Sequence, residues 1–255
     1  MILALDVGNT NITIGVFNAG VLARRWRLRT VQDQTADEWG VLLRNLFSLG
    51  DLSLEHIDGI IVASVVPPLD STLAAMSRQY FRREPMFVTS ETNTGLRILY
   101  DHPREVGADR IVNGVAAFHR YGGPCVVVDL GTAITFDAVS ANAEYLGGVI
   151  CPGIGMSVQG LFSRTARLPL VDFLEPNRLI GTNTVSSMQS GLYYGVIAMI
   201  DGILERMVQT LGPETKTIAT GGQSELIITG SKLVKATDPD LTLEGLQFIW
   251  QRNQS

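Results

Sequence analysis

Ile2-Leu-Ala-Leu-Asp6-Val-Gly8-Asn9-Thr10-Asn11-Ile-Thr-Ile-Gly15-Val-Phe17 opens the chain, and its outline returns at Val126-Val-Val-Asp129-Leu-Gly131-Thr132-Ala-Ile-Thr-Phe136-Asp-Ala-Val139. Each copy runs an apolar strand into an acidic residue, then a glycine that permits a tight turn, then a second strand. Such a turn can aim backbone N–H groups at an anion, and the neighbouring Asn9, Thr10, Asn11 and Thr132 add hydroxyl and amide donors. Asp6 and Asp129 can hold the cations that neutralise phosphate charge. Taken alone, either copy also reads as a plain hairpin turn, since Gly-Asn pairs form turns without any ligand. The duplication is what favours a nucleotide clamp made of two related halves.

Working outward, the first half reads as a meander (Met1 to Val7, Asn11 to Phe17, Val21 to Thr30), then a helix through Leu46 with Thr35 as its N-cap. A continuous apolar strand from Gly59 to Val66 ends at Pro67-Pro68, a pattern suited to a strand buried on both faces. A helix over Leu69 to Phe81 and a strand near Met86 to Val88 follow. The segment Val106 to Tyr121 reads as a helix joining the halves. The second half repeats the meander (Cys125 to Leu130, Ala133 to Ser140, Glu144 to Ile150). Pro152-Gly-Ile-Gly155 then leads into a helix from Met156 to Ser163. After a loop from Pro169 to Thr184 come a long helix from Val185 to Leu211 and a last one from Leu243 to Gln251. Gly191 and Gly195 on the long helix permit close packing, either in the core or against a second copy of the chain. The alternation of strands and helices predicts an α/β fold.

These motifs resemble the two phosphate motifs of the acetate and sugar kinase, Hsp70 and actin superfamily. Thr217-Ile-Ala-Thr-Gly221-Gly222-Gln223 lies where that superfamily has its adenosine motif, although by itself it reads as a strand-to-helix connection. Within the superfamily the chain is most similar to the type III pantothenate kinases. Asp6-Val-Gly-Asn-Thr-Asn11, Gly107-Ala-Asp-Arg110, Asp129-Leu-Gly-Thr132 and Gly181-Thr-Asn-Thr184 occur in that family's order and spacing. The resemblance implies two related ribonuclease H-like (actin-like ATPase) domains with mixed sheets flanked by helices, expected at 1–115 and 116–255. It implies an ATP-dependent kinase converting pantothenate to 4′-phosphopantothenate, the first step of coenzyme A biosynthesis. A homodimer is expected, with the Gly191/Gly195 face of the long helix as its contact. The alternatives are another small-molecule kinase of the superfamily or a nucleotide-binding regulatory relative.

Residue by residue, the resemblance assigns ATP contacts to Asp6, Val7, Gly8, Asn9, Thr10, Asn11, Ile12, Thr13 and Thr132. It assigns pantothenate contacts to Tyr100, Gly107, Ala108, Asp109, Arg110 and Thr184. Asp6 is expected to hold Mg²⁺, directly or through water, and Asp129 a monovalent cation, K⁺ or NH₄⁺. Phosphoryl transfer asks mostly for positioning and charge neutralisation, but a hydroxyl acceptor needs a carboxylate to orient it and take its proton. Asp109 is the expected base, at a helix start beside Arg110, where a carboxylate should stay ionised. Without the resemblance, Asp109 reads as a capping residue paired with Arg110.

Composition agrees with one large or two small packed domains, the latter matching the duplication: 255 residues, 45% hydrophobic and 18% charged. A net charge of -5 without a Lys/Arg run argues against a nucleic-acid partner. Apolar stretches such as Gly59 to Val66 are too short to span a bilayer, and the opening segment lacks a basic n-region, so a cytoplasmic protein is expected. Cys125 and Cys151, the two cysteines, are expected to be buried thiols, and His56, His102 and His119 solvated side chains. The sequence has no Gly-Lys-Ser/Thr phosphate loop, which excludes a P-loop kinase.

Overall fold

The computed structural model describes residues 1–254. Its strands are β1 (Ile2–Val7), β2 (Asn11–Asn18), β3 (Val21–Arg29), β4 (Gly59–Ser64), β5 (Met86–Phe87), β6 (Arg97–Ile98), β7 (Cys125–Leu130), β8 (Ala133–Val139), β9 (Glu144–Pro152), β10 (Lys216–Gly221) and β11 (Ala236–Thr237). The helices are α1 (Ala36–Leu49), α2 (Pro67–Met76), α3 (Ala108–Tyr121), α4 (Ile154–Ser163), α5 (Thr184–Leu211), α6 (Ser224–Gly230) and α7 (Leu241–Arg252). The chain divides into two compact units: Met1–Ala116 together with the chain from Thr242 onward, and Ala117–Leu241.

The duplication read from the sequence is a duplication of topology. In unit 1 the strand order is β3-β2-β1-β4-β5, and in unit 2 the order β11-β10-β7-β8-β9 is the same arrangement written from the other edge. In both, an antiparallel meander (β1-β2-β3, β7-β8-β9) is extended from its first strand by parallel neighbours. The sheets are therefore mixed and flanked by helices, the α/β architecture the resemblance implies.

Alternation along the strands places the core of unit 1. Leu3, Leu5, Val7, Ile12, Ile14, Val16, Ile60 and Val62 share one buried cluster with Trp39, Leu43 and Phe47 of α1 and Leu69, Leu73 and Met76 of α2. The opposite face carries Asp6, Thr13, Gly15 and Gly59, and α7 lies against it. A Cβ on Gly59 would sit 1.9 Å from the Trp250 ring, and one on Gly15 would sit 3.0 Å from Leu243. Those two glycines let a helix from the end of the chain approach the sheet. The division thus differs from the expected one at its end, because the apolar side of α7 finds its sheet in unit 1. Val126, Val128, Leu130, Ile134 and Phe136 form the corresponding core of unit 2 with Leu192, Val196, Ile200 and Leu204 of α5 and Val158 of α4.

Local chemistry sets most boundaries. Thr35 caps α1 in a capping box, its Oγ1 accepting from the Glu38 N–H at 3.3 Å while the Thr35 N–H donates to Glu38 at 2.7 Å. Pro67 and Pro68 do not merely stop β4. They occupy the first helical positions of α2, where no N–H is needed. The expected helix through Phe81 is α only to Met76, then a π turn over Ser77–Phe81 closed by Arg82 at φ 56°. Between Gly95 and Tyr100 the chain is a strand only at β6, and Gly221-Gly222 joins β10 to α6, as a strand-to-helix connection should.

Candidate active site

Unit 1 gathers Asp6 to Thr13 and Gly107 to Arg110 at the carboxyl ends of two parallel strands, β1 and β4. Asp6 ends β1 half-buried, paired across the sheet with Thr13 and Ala63. The turn that follows is closed by the Gly8 N–H donating to the Asn11 carbonyl at 3.0 Å, with Asn9 and Thr10 exposed at its tip. Two further bonds come from the residue just past β3. The Thr30 N–H donates to the Thr10 carbonyl at 3.0 Å and the Thr30 hydroxyl to the Gly8 carbonyl at 2.6 Å. Thr30 was not singled out from the sequence, where it reads as an ordinary strand end.

The Gly107–Arg110 motif reaches the same end of the sheet through Val65. The Val65 N–H donates to the Val7 carbonyl at 3.0 Å, and a Cβ on Gly107 would meet Val65 at 3.4 Å. That same Cβ would lie 2.5 Å from Asp109 Oδ1, so only glycine leaves room for the carboxylate to fold back over position 107. Asp109 Oδ1 accepts from the Arg110 N–H at 2.8 Å. Burial raises the Asp109 pKa, and the hydrogen bond and charge of Arg110 only partly offset it. The expected helix-start stabilisation is present but loses to desolvation. A carboxyl tuned upward is a better proton acceptor than an ordinary surface aspartate. Ala108 and Arg110 are buried beside it, while Tyr100 lies half-buried beyond β6 in the same unit.

In unit 2, Asp129 ends β7 half-buried, opposite Thr135 of β8 and beside Thr220 of β10. The second turn, one residue shorter than the first, also closes through its glycine, the Gly131 N–H donating to the Ala133 carbonyl at 3.1 Å. Gly221 has φ +92°, and a Cβ there would lie 2.8 Å from the Leu130 carbonyl and 2.9 Å from Asp129 Oδ1. Its glycine character is thus a requirement of the Asp129 position. Gly153, just past β9, lies closer still to the turn: a Cβ would fall 1.9 Å from the Thr132 carbonyl oxygen. The Pro-Gly-x-Gly string was the available sequence signal for Gly153, and it was read only as a helix start.

Thr184 begins α5, exposed, in an open cleft of about 720 Å³ lined also by Leu161, Leu168, Gly181, Met188 and Leu192. The Gly181–Thr184 motif has a structural share as well. Asn183 caps α5, its Oδ1 accepting from the Ser186 N–H at 2.9 Å, and a Cβ on Gly181 would strike the Ser187 nitrogen at 2.4 Å.

A family model of type III pantothenate kinases matches residues 2–206. The chain belongs to the type III pantothenate kinase family. The type III pantothenate kinase of Solibacter usitatus is 64% identical over 99% of this chain and 97% of its own, and that of Koribacter versatilis 56% identical over 100% and 97%. Among solved structures, component A of the (R)-2-hydroxyglutaryl-CoA dehydratase of Acidaminococcus fermentans shares the fold. It has a TM-score of 0.58 at 10% identity, covering 99% of this chain and 98% of that one.

Other expectations find a simple outcome in this family member. Cys125 is buried, which pushes its thiol up to about 12, whereas Cys151 is half-buried against the unit 2 core. His56, His102 and His119 are exposed. Among the described residues no helix is long and apolar enough to cross a membrane.

Proposed function

We infer that this protein transfers the γ-phosphoryl group of ATP to the primary hydroxyl of pantothenate, giving 4′-phosphopantothenate and ADP, the first step of coenzyme A biosynthesis. The observation that carries this reading is identity of 50–64% to type III pantothenate kinases along essentially the whole chain. The pantothenate oxygen forms a bond to the γ-phosphorus as the bond from that phosphorus to the bridging oxygen of ADP breaks. Asp109 orients the hydroxyl and takes its proton, a role supported by its raised pKa and by the space Gly107 leaves for it. The first turn, Asp6 to Thr13, and Thr132 of the second turn hold ATP. Tyr100, Gly107, Ala108, Arg110 and Thr184 hold pantothenate. Asp6 would hold a divalent cation, directly or through water, which when bound would supply neutralisation of phosphate charge. Residues 1–115 carry the first phosphate motif and the start of the substrate site.

Among the described residues no group of three or more His, Cys, Asp or Glu could hold a metal ion. Asp129, opposite Thr135 and beside Thr220 in the sheet register, is the carboxylate assigned to a monovalent cation, K⁺ or NH₄⁺. A coupled assay for ADP release with pantothenate, MgATP and either K⁺ or Na⁺ tests the whole reading. Turnover is expected only with pantothenate and MgATP, and faster in K⁺ than in Na⁺. Asp129→Ala should lower the rate in a way that added K⁺ does not restore. ATP binding without phosphorylation of pantothenate would contradict the assignment.

The protein is also proposed to be a cytoplasmic homodimer joined through unit 2. Large apolar side chains are exposed on β9 (Val149, Ile150), α4 (Met156, Phe162) and the loop before α5 (Leu179, Ile180), with Ile150 at 62% and Ile180 at 80%. Gly191 and Gly195 have nothing within 4 Å of a would-be Cβ, so no close packing within the chain requires them to be glycine. Light scattering after size exclusion should give twice the 27.7 kDa chain mass; a monomer at micromolar concentration would refute the dimer.

A further inference from the structure

We propose that Thr30 is a positioning residue of the nucleotide site, holding the first phosphate turn in the shape that accepts an anion; this rests on the reading of that turn as an ATP cradle. The regular pairing of β2 with β3 ends at Asn11 opposite Arg29. Thr30 lies one residue further on, and both of its hydrogen bonds go to the turn instead of the ladder. Its N–H takes the Thr10 carbonyl and its hydroxyl takes the Gly8 carbonyl. A peptide carbonyl facing a phosphate oxygen is repulsive, and a turn of three residues between strands has few constraints of its own. Engaging the carbonyls of Gly8 and Thr10 from the β3 side keeps their lone pairs occupied and fixes the orientation of the two peptide planes. The N–H side of the turn is thereby presented to the ligand.

The second half supplies an internal comparison. There the meander pairing ends at Ala133 opposite Pro152, and the next residue is Gly153. Gly153 occupies the place of Thr30 in the duplicated topology and also abuts the two turn carbonyls, those of Gly131 and Thr132. One copy holds its turn by a hydroxyl and an amide, the other by direct backbone contact that leaves no room for a side chain. The position after the third strand of the meander is therefore the buttress of the phosphate turn in both units. The serine-like chemistry at 30 matters more than the bulk, because the half-buried threonine donates its one hydroxyl proton at 2.6 Å.

Thr30→Val keeps shape and backbone amide but leaves the Gly8 carbonyl without its donor. Calorimetric Kd for ATP should rise about tenfold, the effect of one lost hydrogen bond. The KM for pantothenate should stay unchanged, and Thr30→Ser should bind ATP like the wild type. If Thr30→Val does not fold, Thr30→Ala against Thr30→Ser gives the same contrast. Unchanged ATP affinity in a less thermostable valine or alanine variant would make Thr30 a purely structural residue and overturn the proposal, as would a serine variant as weak as valine. A wild-type protein that does not bind ATP would instead remove the functional reading on which the proposal rests.

Discussion

Asp109→Asn is expected to lower turnover about 10²–10⁴-fold while calorimetric ATP affinity stays close to that of the wild type. Asparagine preserves size and the acceptor for the Arg110 N–H but cannot take the proton of the substrate hydroxyl. Two further readouts separate a base from a helix-start residue. First, the wild-type kcat/KM should fall on acidification with a pKa above the ordinary aspartate value of 3.8, because burial raises it, and this limb should vanish in the variant. Second, the folded protein binds more protons than the unfolded chain between 3.8 and the raised value. Stability therefore declines as pH rises through that window, and above it the ionised carboxylate is a standing cost to the fold. The variant lacks that charge, so its Tm at neutral pH should equal or exceed the wild type's. Nearly full single-turnover phosphorylation in Asp109→Asn would leave Asp109 as a capping group, with Asp6 the next carboxylate to test.

Gly153→Ala should be nearly as damaging by a different route. The added methyl would lie 1.9 Å from the Thr132 carbonyl oxygen and 2.6 Å from its carbon. Backbone atoms cannot swing aside as a side-chain end can, so the second turn, proposed above to hold phosphate, or the start of α4 must move. A displacement near 1 Å of a group that positions phosphate costs on the order of 10²-fold in kcat/KM, and the overpacking itself about 1–3 kcal/mol of stability. Gly155→Ala is the control, since nothing lies within 4 Å of its Cβ position and alanine favours the helix. Kinetics with varied ATP and a thermal melt on both variants decide it. Equal behaviour of the two would mean that the turn tolerates a shift and is not a rigid cradle.

Much of this was legible because it is local. The Asp-x-Gly turns, the strand runs around them and the Thr35 cap each depend on residues within a few positions of one another, and a duplicated local pattern yields a duplicated topology. The family membership was legible for the same reason: four short motifs in register along the chain. What stayed hidden depends on residues brought together from far apart. Trp250 against Gly59 and Leu243 against Gly15 return the end of the chain to unit 1, and no spacing in the sequence announces which sheet an amphipathic helix will cover.

The same division runs through the site. Sequence by itself determined which carboxylates end the strands, Asp6 and Asp129, and which motif carries Asp109, because residue type and order set those. Only the tertiary structure decided the balance at Asp109, where the helix start and Arg110 compete with desolvation, since burial is a property of all the surrounding chain. It alone also placed Thr30 and Gly153 against the turns after β1 and β7. Each lies about twenty residues from the turn it holds, joined to it through the strand register, and hydrogen-bond geometry and excluded volume act through space, not along the chain.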